Sequence, residues 1–431
     1  MDGASGGRFA PAEVLLNKQA GQCRPITDFL NERLHVQGEV LDQSWFEWET
    51  CCRAVQEQFS SETTQKLTAD QDSPIVYALG AMLQYLVQTQ KHGLESLTSL
   101  DIYSDNQYMT LDLTARRNLE LTQTMRNGER RGTLLWVLDK TQTPMGKRLL
   151  LSQIVKPLIN PTAINKRLNA VGELRNDTIR LDDIREVLRG IFDLERLITR
   201  IVYGSVTPRE MRSLEAAARQ LPTLKETVGE VRAVYLKHIM LDIDPLEDIC
   251  GLIDCAIDED PPAVLKDGGV IRKGYSKELD DLREIVHNTK GVLSSIEAKE
   301  RERTGIKNLK IGFNNVFGYY IEVTKSFLSQ VPQEYIRKQT LTGSERYITQ
   351  ELKELEQTIL GARDKILVLE NQLFDEVRQQ VAAQIHRVQK TANAIAWLDL
   401  YADFAKVSIE QNYCRPEVDL SGKIHIQDGR H

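Results

Sequence analysis

Basic and small polar side chains concentrate in one stretch of the chain, residues 299–346. Nine lysines and arginines lie there against five glutamates, so nine minus five gives a net charge of +4. The bases are Lys299, Arg301, Arg303, Lys307, Lys310, Lys325, Arg337, Lys338 and Arg346. The hydroxyl and amide side chains near them include Asn314, Asn315, Thr340, Thr342 and Ser344. Groups of these types donate hydrogen bonds to phosphate, so the stretch suits contact with a nucleic-acid backbone, which is independent of base sequence and weakened by salt.

The same stretch also fits an ordinary solvated surface. Lys299 to Arg303 alternates in sign along a helix, as exposed faces do. Thr342 and Glu345 have the spacing of a capping box, which predicts the start of a helix there. The whole chain carries −7, so the remainder carries −7 minus 4, or −11. A charge count alone therefore leaves both a nucleic-acid interface and a plain charged surface open.

Motifs of enzymes and metal sites are missing from the sequence. It contains no G-x-x-x-x-G-K-[ST] phosphate loop, no H-E-x-x-H and no G-x-S-x-G. Six cysteines are present, but no histidine stands at zinc-ligand spacing from them. We therefore expect no catalytic residue, metal site or cofactor site in this chain. Reduced cysteines, no signal peptide and no long apolar run predict a soluble, cytoplasmic protein without a membrane anchor.

Apolar spacing predicts long helices on both sides of this stretch. Residues at intervals of three and four predict an outgoing helix from about Ser276 to Arg303, and a return helix of some 60 residues, which would be about 90 Å long. The outgoing stripe is Leu279, Leu282, Val286, Thr289, Leu293 and Ile296. The return stripe runs from Leu352, Leu355, Ile359, Ala362, Ile366, Leu369 and Leu373 to Val377, Val381, Ile385, Val388, Ala392 and Ile395. Such narrow stripes are typical of a coiled-coil seam.

Between the helices the apolar period changes from about 3.5 to 2. Leu309–Asn314 and Tyr319–Thr324 both alternate apolar and polar residues, and turn-forming residues separate them. We therefore predict a small β-structure between two long helices. Earlier in the chain, Ser73–Leu86 predicts a helix with proline near its start, and prolines between 113 and 262 predict the ends of several packed helices.

Several stretches resemble the MutS mismatch-repair family. Those that resemble its clamp are Glu300–Ile306, Leu309–Val323 and Tyr335–Ile348; those that resemble its core and lever are Leu111–Glu120 and Leu138–Gly146; Asp267–Ile271 and Gly274–Tyr275 resemble its approach to the clamp; and Pro11–Leu15 resembles the end of its connector domain. The resemblance implies a mainly α fold, in which a multi-helix core and two long antiparallel lever helices carry a small β-rich clamp at the tip. It further implies connector and linking helices at 1–100, core and lever at 101–290, clamp at 291–349, a returning lever helix at 350–410 and the start of an ATPase domain at 411–431.

By position, the resemblance implies a set of residues that face DNA: Arg337, Lys338, Thr342, Gly343 and Ser344, with Lys310 and Asn314 in addition. Thr342-Gly343 departs from relatives that have Lys-Asn there, which removes a charge. Gly343 can still offer its backbone N–H to a phosphate. Phe374-Asp375-Glu376 matches the Phe-x-Glu pattern of the family's mismatch wedge, but its place deep in the predicted return helix indicates a chance match.

The resemblance implies double-stranded DNA as ligand, a second MutS-type subunit and a MutL-type repair partner. ATP and magnesium are expected only in an ATPase domain beyond Asp428–His431, so this chain by itself is not expected to be an enzyme. It is expected in the cytoplasm, at the nucleoid. Two alternatives remain open: a MutS-like paralogue acting in recombination, and a structural helical arm whose tip binds protein.

Overall fold

The computed structural model describes residues 11–59, 64, 67–68, 73–89, 94, 97, 100, 107–314, 316 and 318–429. The chain forms two compact units. One unit comprises the described residues up to Val206, then Ser213–Cys250 and the chain from Gln379 onward; the other comprises Thr207–Arg212 and Gly251–Arg378. Asn315, Phe317, Arg430 and His431, which the sequence patterns include, lie outside the described residues. The five-part division of the chain given above stays a prediction.

The first unit begins with a short parallel pair of strands, β1 (Val14–Leu16) and β2 (Gly38–Val40). The helices that follow or accompany it are α1 (Lys18–Gln22), α2 (Arg24–Asp28), α3 (Trp48–Gln58) and α4 (Pro74–Thr89), with a π-helical turn at Phe29–Leu34 and a 3₁₀ turn at Gln43–Phe46. Helix α4 confirms the helix predicted over Ser73–Leu86, and its first residue is the predicted proline. Gly80 of α4 lies against the backbone of Cys51, so a side chain at that position would force α3 and α4 apart.

The middle of the chain is a series of short, capped helices. Most begin after a Ser, Thr, Asn or Asp residue whose side chain accepts a backbone N–H of the first turn, or with a proline. The observed caps are Asp112, Thr133, Thr143, Asn160, Asp177 and Asp193. The helices are α5 (Leu113–Asn118), α6 (Leu134–Leu138), α7 (Pro144–Val155), α8 (Pro161–Asn176), α9 (Thr178–Arg189), α10 (Leu194–Val202), α11 (Pro208–Ala218), α12 (Gln220–Val228), α13 (Val234–Asp242) and α14 (Glu247–Ala256).

The outgoing segment forms two helices, so the prediction of one helix from Ser276 to Arg303 is wrong. The observed helices are α15 (Lys277–His287) and α16 (Thr289–Thr304), with Asn288 between them. Asn288 has ψ near zero (−5°), and its amide nitrogen reaches the Glu284 side chain at 3.5 Å. Asparagine competes with the helical backbone for hydrogen bonds and favours such interruptions, which a three-four apolar spacing does not reveal.

The predicted β-structure is confirmed and is larger than predicted. The strands are β3 (Lys310–Asn314), β4 (Gly318–Thr324), β5 (Ile336–Thr340) and β6 (Ser344–Ile348), in an antiparallel sheet of order β3-β4-β6-β5. One face of the sheet packs on the end of α16 through a cluster that includes Ile296, Leu309, Ile321, Val323 and Tyr347. The capping box predicted at Thr342 is wrong, because Thr342 lies in the β5–β6 turn and Ser344–Ile348 is a strand.

The return segment also forms two helices, α17 (Gln350–Ala382) and α18 (Ile385–Glu410), so the prediction of one 60-residue helix is wrong. Thr349 caps α17, accepting the Leu352 N–H at 3.3 Å. At the interruption, the Gln384 N–H bonds to Val381 three residues back instead of four. No proline or glycine marks this tightened turn, and the stripe residues on both sides keep their spacing, so sequence periodicity does not detect it.

Buried stripes nevertheless confirm the predicted faces of these helices. Every residue of the return stripe is buried or half-buried, from Leu352 to Ile395. Near the sheet, Leu293 and Ile296 of α16 share a core with Leu352 and Leu355 of α17. In the other unit, α18 is the central helix, packed against α7, α8, α9, α10 and α13. Mainly α structure, with one small antiparallel sheet between long helices, is therefore the observed fold class.

Candidate nucleic-acid interface

The strand register places one end of the four-stranded sheet beside the β5–β6 turn. Lys310 at the start of β3 pairs with Glu322 of β4, which pairs with Arg346 of β6. Thr324, the last residue of β4, pairs with Ser344, the first residue of β6. The turn Leu341–Gly343 closes with a 2.8 Å bond from the Leu341 N–H to the Ser344 carbonyl. This end of the sheet, with the turn and the start of β3, is called the turn end below.

Thr342, Gly343 and Lys325 meet at the turn end. The Lys325 backbone N–H donates to the Gly343 carbonyl at 3.1 Å, and all three residues are exposed. Gly343 has open space around it and an ordinary φ. Its N–H and the Thr342 hydroxyl are thus at the surface, next to a lysine. The turn itself lacks a charge, and Lys325 supplies one beside it.

The two edges of the sheet carry the other predicted bases. Lys310 is exposed on the edge strand β3, and Arg337 and Lys338 are exposed on the opposite edge strand, β5. Three strand spacings separate the edges, which is about 14 Å. Lys338 lies at a register shift between Arg337 and Gln339, an irregularity of the kind that turns a side chain out of the ladder.

Asn314 and Ser344 are placed differently from the other predicted contacts. Asn314 ends β3 opposite Gly318, four residues or about 13 Å from Lys310 and away from the turn end. Its side-chain oxygen accepts the Val316 N–H at 2.7 Å, as in an Asx turn. Ser344 is buried, and its hydroxyl donates to Glu322 at 3.0 Å. The fold thus gives both side chains an internal hydrogen bond.

Gly318, at the end of the sheet opposite the turn, is needed for both conformation and space. Its φ is +81°, and a Cβ built there would overlap the carboxylate of Glu356 in α17. Glycine adopts that backbone angle readily, whereas another residue would be strained and would also displace the Glu356 carboxylate.

Ion pairing divides the bases of residues 299–346 into two groups. Five form pairs with acids: Lys299 with Glu351, Arg301 with Glu297, Arg303 with Glu300 and Glu334, Arg337 with Glu345, and Arg346 with Glu322. Four exposed lysines have no acid within ion-pair distance among the described residues: Lys307, Lys310, Lys325 and Lys338. Two of these four, Lys310 and Lys325, belong to the turn end, Lys307 lies in the loop before β3, and Lys338 lies on the β5 edge.

Arg337 forms an ion pair with a buried glutamate. Glu345 lies 3.6 Å from the Arg337 guanidinium and accepts a 2.6 Å bond from the Tyr347 hydroxyl. Burial, and then the bond to Glu345, raise the pKa of Tyr347 to about 12. The phenol therefore stays protonated and keeps one Glu345 oxygen occupied. Arg337 thus faces an anion of the same chain, whereas Lys338 beside it does not.

Lys307 and Lys325 were counted in the charge of the stretch but not among the predicted contacts. The position of Lys325 follows from antiparallel register, since the end of β4 must lie beside the start of β6 once those strands pair. Recognising 336–340 and 344–348 as strands, around a turn at Thr342-Gly343, would have brought Lys325 to the turn. The assignment of Thr342 to a helix cap prevented that step.

Two negative findings concern the described part of the chain. No group of three or more His, Cys, Asp or Glu side chains is arranged there to hold a metal ion. None of its helices combines the length and the low polarity that crossing a membrane requires.

Comparison with known proteins agrees with this architecture. The family model for MutS domain III matches residues 114–405. DNA mismatch repair protein MutS of Ruminiclostridium cellulolyticum is 44% identical over 424 residues, which is 98% of this chain and 48% of that protein. The MutS of Acetivibrio thermocellus is 43% identical over 424 residues, with the same coverage, and that of Desulforamulus reducens is 45% identical over 377 residues, 87% of this chain and 43% of the relative. The chain spans about half the length of the curated relatives it matches, and it belongs to the MutS mismatch-repair family.

Proposed function

We propose that this chain is the core, lever and clamp region of a DNA mismatch repair protein, and that its β-sheet contacts the backbone of duplex DNA. The observation that carries the proposal is the set of four exposed lysines without an acidic partner among the described residues, two of them at the turn end. A surface lysine is ordinarily solvated or paired. Four unpaired ones, beside an exposed backbone N–H and a hydroxyl, form a surface suited to phosphate.

The long helices supply a reason for placing a DNA contact on this sheet. Helix α17 alone has 33 residues, or about 50 Å at 1.5 Å per residue. A packed helix can carry a rotation at one end to a displacement at the other. We propose that, in the whole protein, these helices transmit the effect of nucleotide binding by an ATPase domain to the DNA contacts of the clamp. A second MutS-type subunit and a MutL-type partner act through the same helices. Residues of this chain supply the DNA contact and not the hydrolysis.

Binding to fluorescent duplex DNA across a salt series tests the proposal. Each lysine that neutralises a phosphate contributes about −0.9 to the slope of log K against log salt. We expect the variant Lys307→Ala/Lys325→Ala/Lys338→Ala to bind roughly ten-fold more weakly or worse at moderate salt, with a slope shallower by about 2 to 3. Arg337→Ala/Lys338→Ala should lose less slope than the triple variant, because Arg337 already faces Glu345.

The matched control removes three exposed lysines outside residues 299–346, Lys237→Ala/Lys273→Ala/Lys365→Ala. It makes the same change in net charge but removes none of the proposed phosphate contacts, so it should leave the slope unchanged. If both triple variants weakened DNA binding equally, the effect would come from overall charge, and this would contradict a DNA-binding surface on the sheet. Binding by the wild type that ignores salt would instead favour an apolar protein contact.

A further inference from the structure

A buried carboxylate lies near the end of α16, the helix that precedes the sheet. Glu300, in the last turn of α16, is only 5% exposed. Its Oε2 accepts bonds from Arg303 Nε at 3.1 Å, from Arg303 Nη2 at 2.8 Å and from the Tyr335 hydroxyl at 2.5 Å. Burial acts to raise the pKa of Glu300, but the bonds from Arg303 and Tyr335 outweigh it and hold that pKa below its usual value. Glu300 is thus a charged anchor inside the fold.

The partners of Glu300 lie at the start of β5. Tyr335 immediately precedes this strand, is 6% exposed and packs its ring 5.9 Å from that of Tyr347. Arg303 also pairs with Glu334, one residue earlier, and its guanidinium lies 5.9 Å from the Tyr335 ring centroid. Burial, and then the bond to Glu300, raise the pKa of Tyr335, so the hydroxyl keeps its proton. Glu334 and Tyr335 are therefore both fastened to the end of α16.

Strand β5 has few other contacts that fix its position. It is an edge strand, bonded to β6 alone, and its register shifts between Arg337 and Gln339. An irregular edge strand with one neighbour has fewer constraints on its position than a central strand. The irregularity falls on Lys338, three residues after Tyr335. Two sets of contacts therefore determine the direction of the Lys338 side chain: the hydrogen bonds of β5 to β6, and the bonds of Tyr335 and Glu334 to the end of α16.

We propose that Glu300, Arg303 and Tyr335 are positioning residues for the DNA surface, holding the start of β5 so that Lys338 projects at the height a phosphate contact needs. This inference rests on the proposed function of the sheet. The proposal gives Glu300 and Arg303, within the Glu-Arg-Glu-Arg stretch at residues 300–303, a role other than direct contact with DNA. The three residues act through Lys338 and do not touch the ligand.

A double-mutant cycle on the full chain tests this inference, with duplex DNA as the probe. Tyr335→Phe keeps the ring and removes the bond to Glu300. We expect it to weaken binding roughly three- to ten-fold, less than the full contribution of a hydrogen bond to a charged group, because Tyr335 affects DNA binding only through Lys338. If Tyr335 acts through Lys338, adding Tyr335→Phe to Lys338→Ala costs little further affinity. Adding it to Lys307→Ala, a lysine outside β5, should cost the full factor again.

Hydrogen exchange on the free protein adds a readout that is independent of DNA. Amides of β5 should exchange faster in Tyr335→Phe, whereas those of β3 should not change. Unchanged affinity in Tyr335→Phe, or an equal factor on both lysine backgrounds, would overturn the inference while leaving the proposed function standing. A wild-type chain that fails to bind duplex DNA at low salt would overturn the proposed function first and this inference with it.

Discussion

Two carboxylates one turn apart on α18 hold the same segment by different means. Asp399 accepts the Gln142 N–H at 2.9 Å, the Thr143 N–H at 2.7 Å and the Thr143 hydroxyl at 2.7 Å. Among the described residues, Asp403 accepts the Lys140 N–H alone, at 2.6 Å, and its second oxygen is buried without a partner. Both side chains are fully buried, and burial raises the pKa of both carboxyl groups. Asp399 differs from Asp403 in having three donors instead of one.

Asp403 should make the protein less stable as pH rises. Burial raises the pKa of Asp403 to about 8 from an ordinary value of 3.8, and the neighbouring charges of Asp399 and Asp139 act in the same direction. The unfolded chain thus releases this proton more readily than the folded one, so stability is full below about pH 4 and falls until pH passes the folded pKa. Asp403→Asn cannot titrate. Its free energy of unfolding should gain roughly 2–4 kcal/mol on the wild type between pH 5 and pH 8.

Asp399→Asn is the matched control for that measurement. An amide nitrogen at Oδ2 would face the Thr143 donors, so this variant should lose about 1–3 kcal/mol, by urea unfolding, near neutral pH. Parallel pH profiles for the wild type and Asp403→Asn would contradict a protonated Asp403.

Residue types predicted the chemistry of the sheet better than they predicted which side chains are available. Lys310, Arg337, Lys338, Thr342 and Gly343 are exposed, as a contact with phosphate needs. Ser344 looked equivalent in sequence, but its hydroxyl is bonded to Glu322, a residue 22 positions away. Such a partner depends on strand pairing, and a single sequence carries no local signal for it.

At the scale of elements, apolar spacing predicted the long helices and their buried faces but not their interruptions. The interruption in the return segment is a local change of hydrogen bonding, which the hydrophobic period does not record. Next to the one in the return helix, Arg387 donates to Asp244 at 2.8 and 3.2 Å and to Asp248 at 2.7 and 3.0 Å. Thr391, one turn on, accepts the Asp244 N–H at 3.1 Å. The start of α18 is thus tied to the segment between α13 and α14.

Arg387→Gln should loosen this tie. The bonds from Arg387 lower the pKa of both Asp244 and Asp248, so they stabilise the fold above about pH 4, and that contribution is lost as pH falls through the lowered values. The side chains are partly exposed, so we expect a loss of about 1–2 kcal/mol at pH 7 in urea unfolding. The difference from the wild type should shrink toward pH 2 to 3.

Arg189→Gln is the control for Arg387→Gln. Arg189 pairs with Glu186 on an exposed helix surface, and both side chains are at least 65% exposed. Such a pair should change stability by no more than about 0.5 kcal/mol. A pH-independent difference between Arg387→Gln and the wild type would show that the two aspartates are not what Arg387 stabilises.

At the scale of the whole molecule, charge is distributed unevenly: residues 299–346 carry +4 and the remainder carries −11. Phosphate contacts act at the surface of the sheet, whereas repulsion between the acidic remainder and DNA acts over the screening length. That length is about 8 Å at 0.15 M salt and about 30 Å at 0.01 M. Lowering the salt therefore strengthens the contacts but also extends the repulsion.

The plot of log K against log salt should for this reason be straight above about 0.1 M and flatten toward 0.01 M. Replacing three exposed acids of α15, as Glu278→Gln/Asp281→Asn/Glu284→Gln, should extend the straight part to lower salt while leaving the slope above 0.1 M unchanged, because no phosphate contact is altered. Fluorescence anisotropy with a short duplex measures both variants across the series. A wild-type plot that stays straight down to 0.01 M would mean that the acidic remainder lies beyond the reach of the DNA field, and only the sheet would then determine affinity.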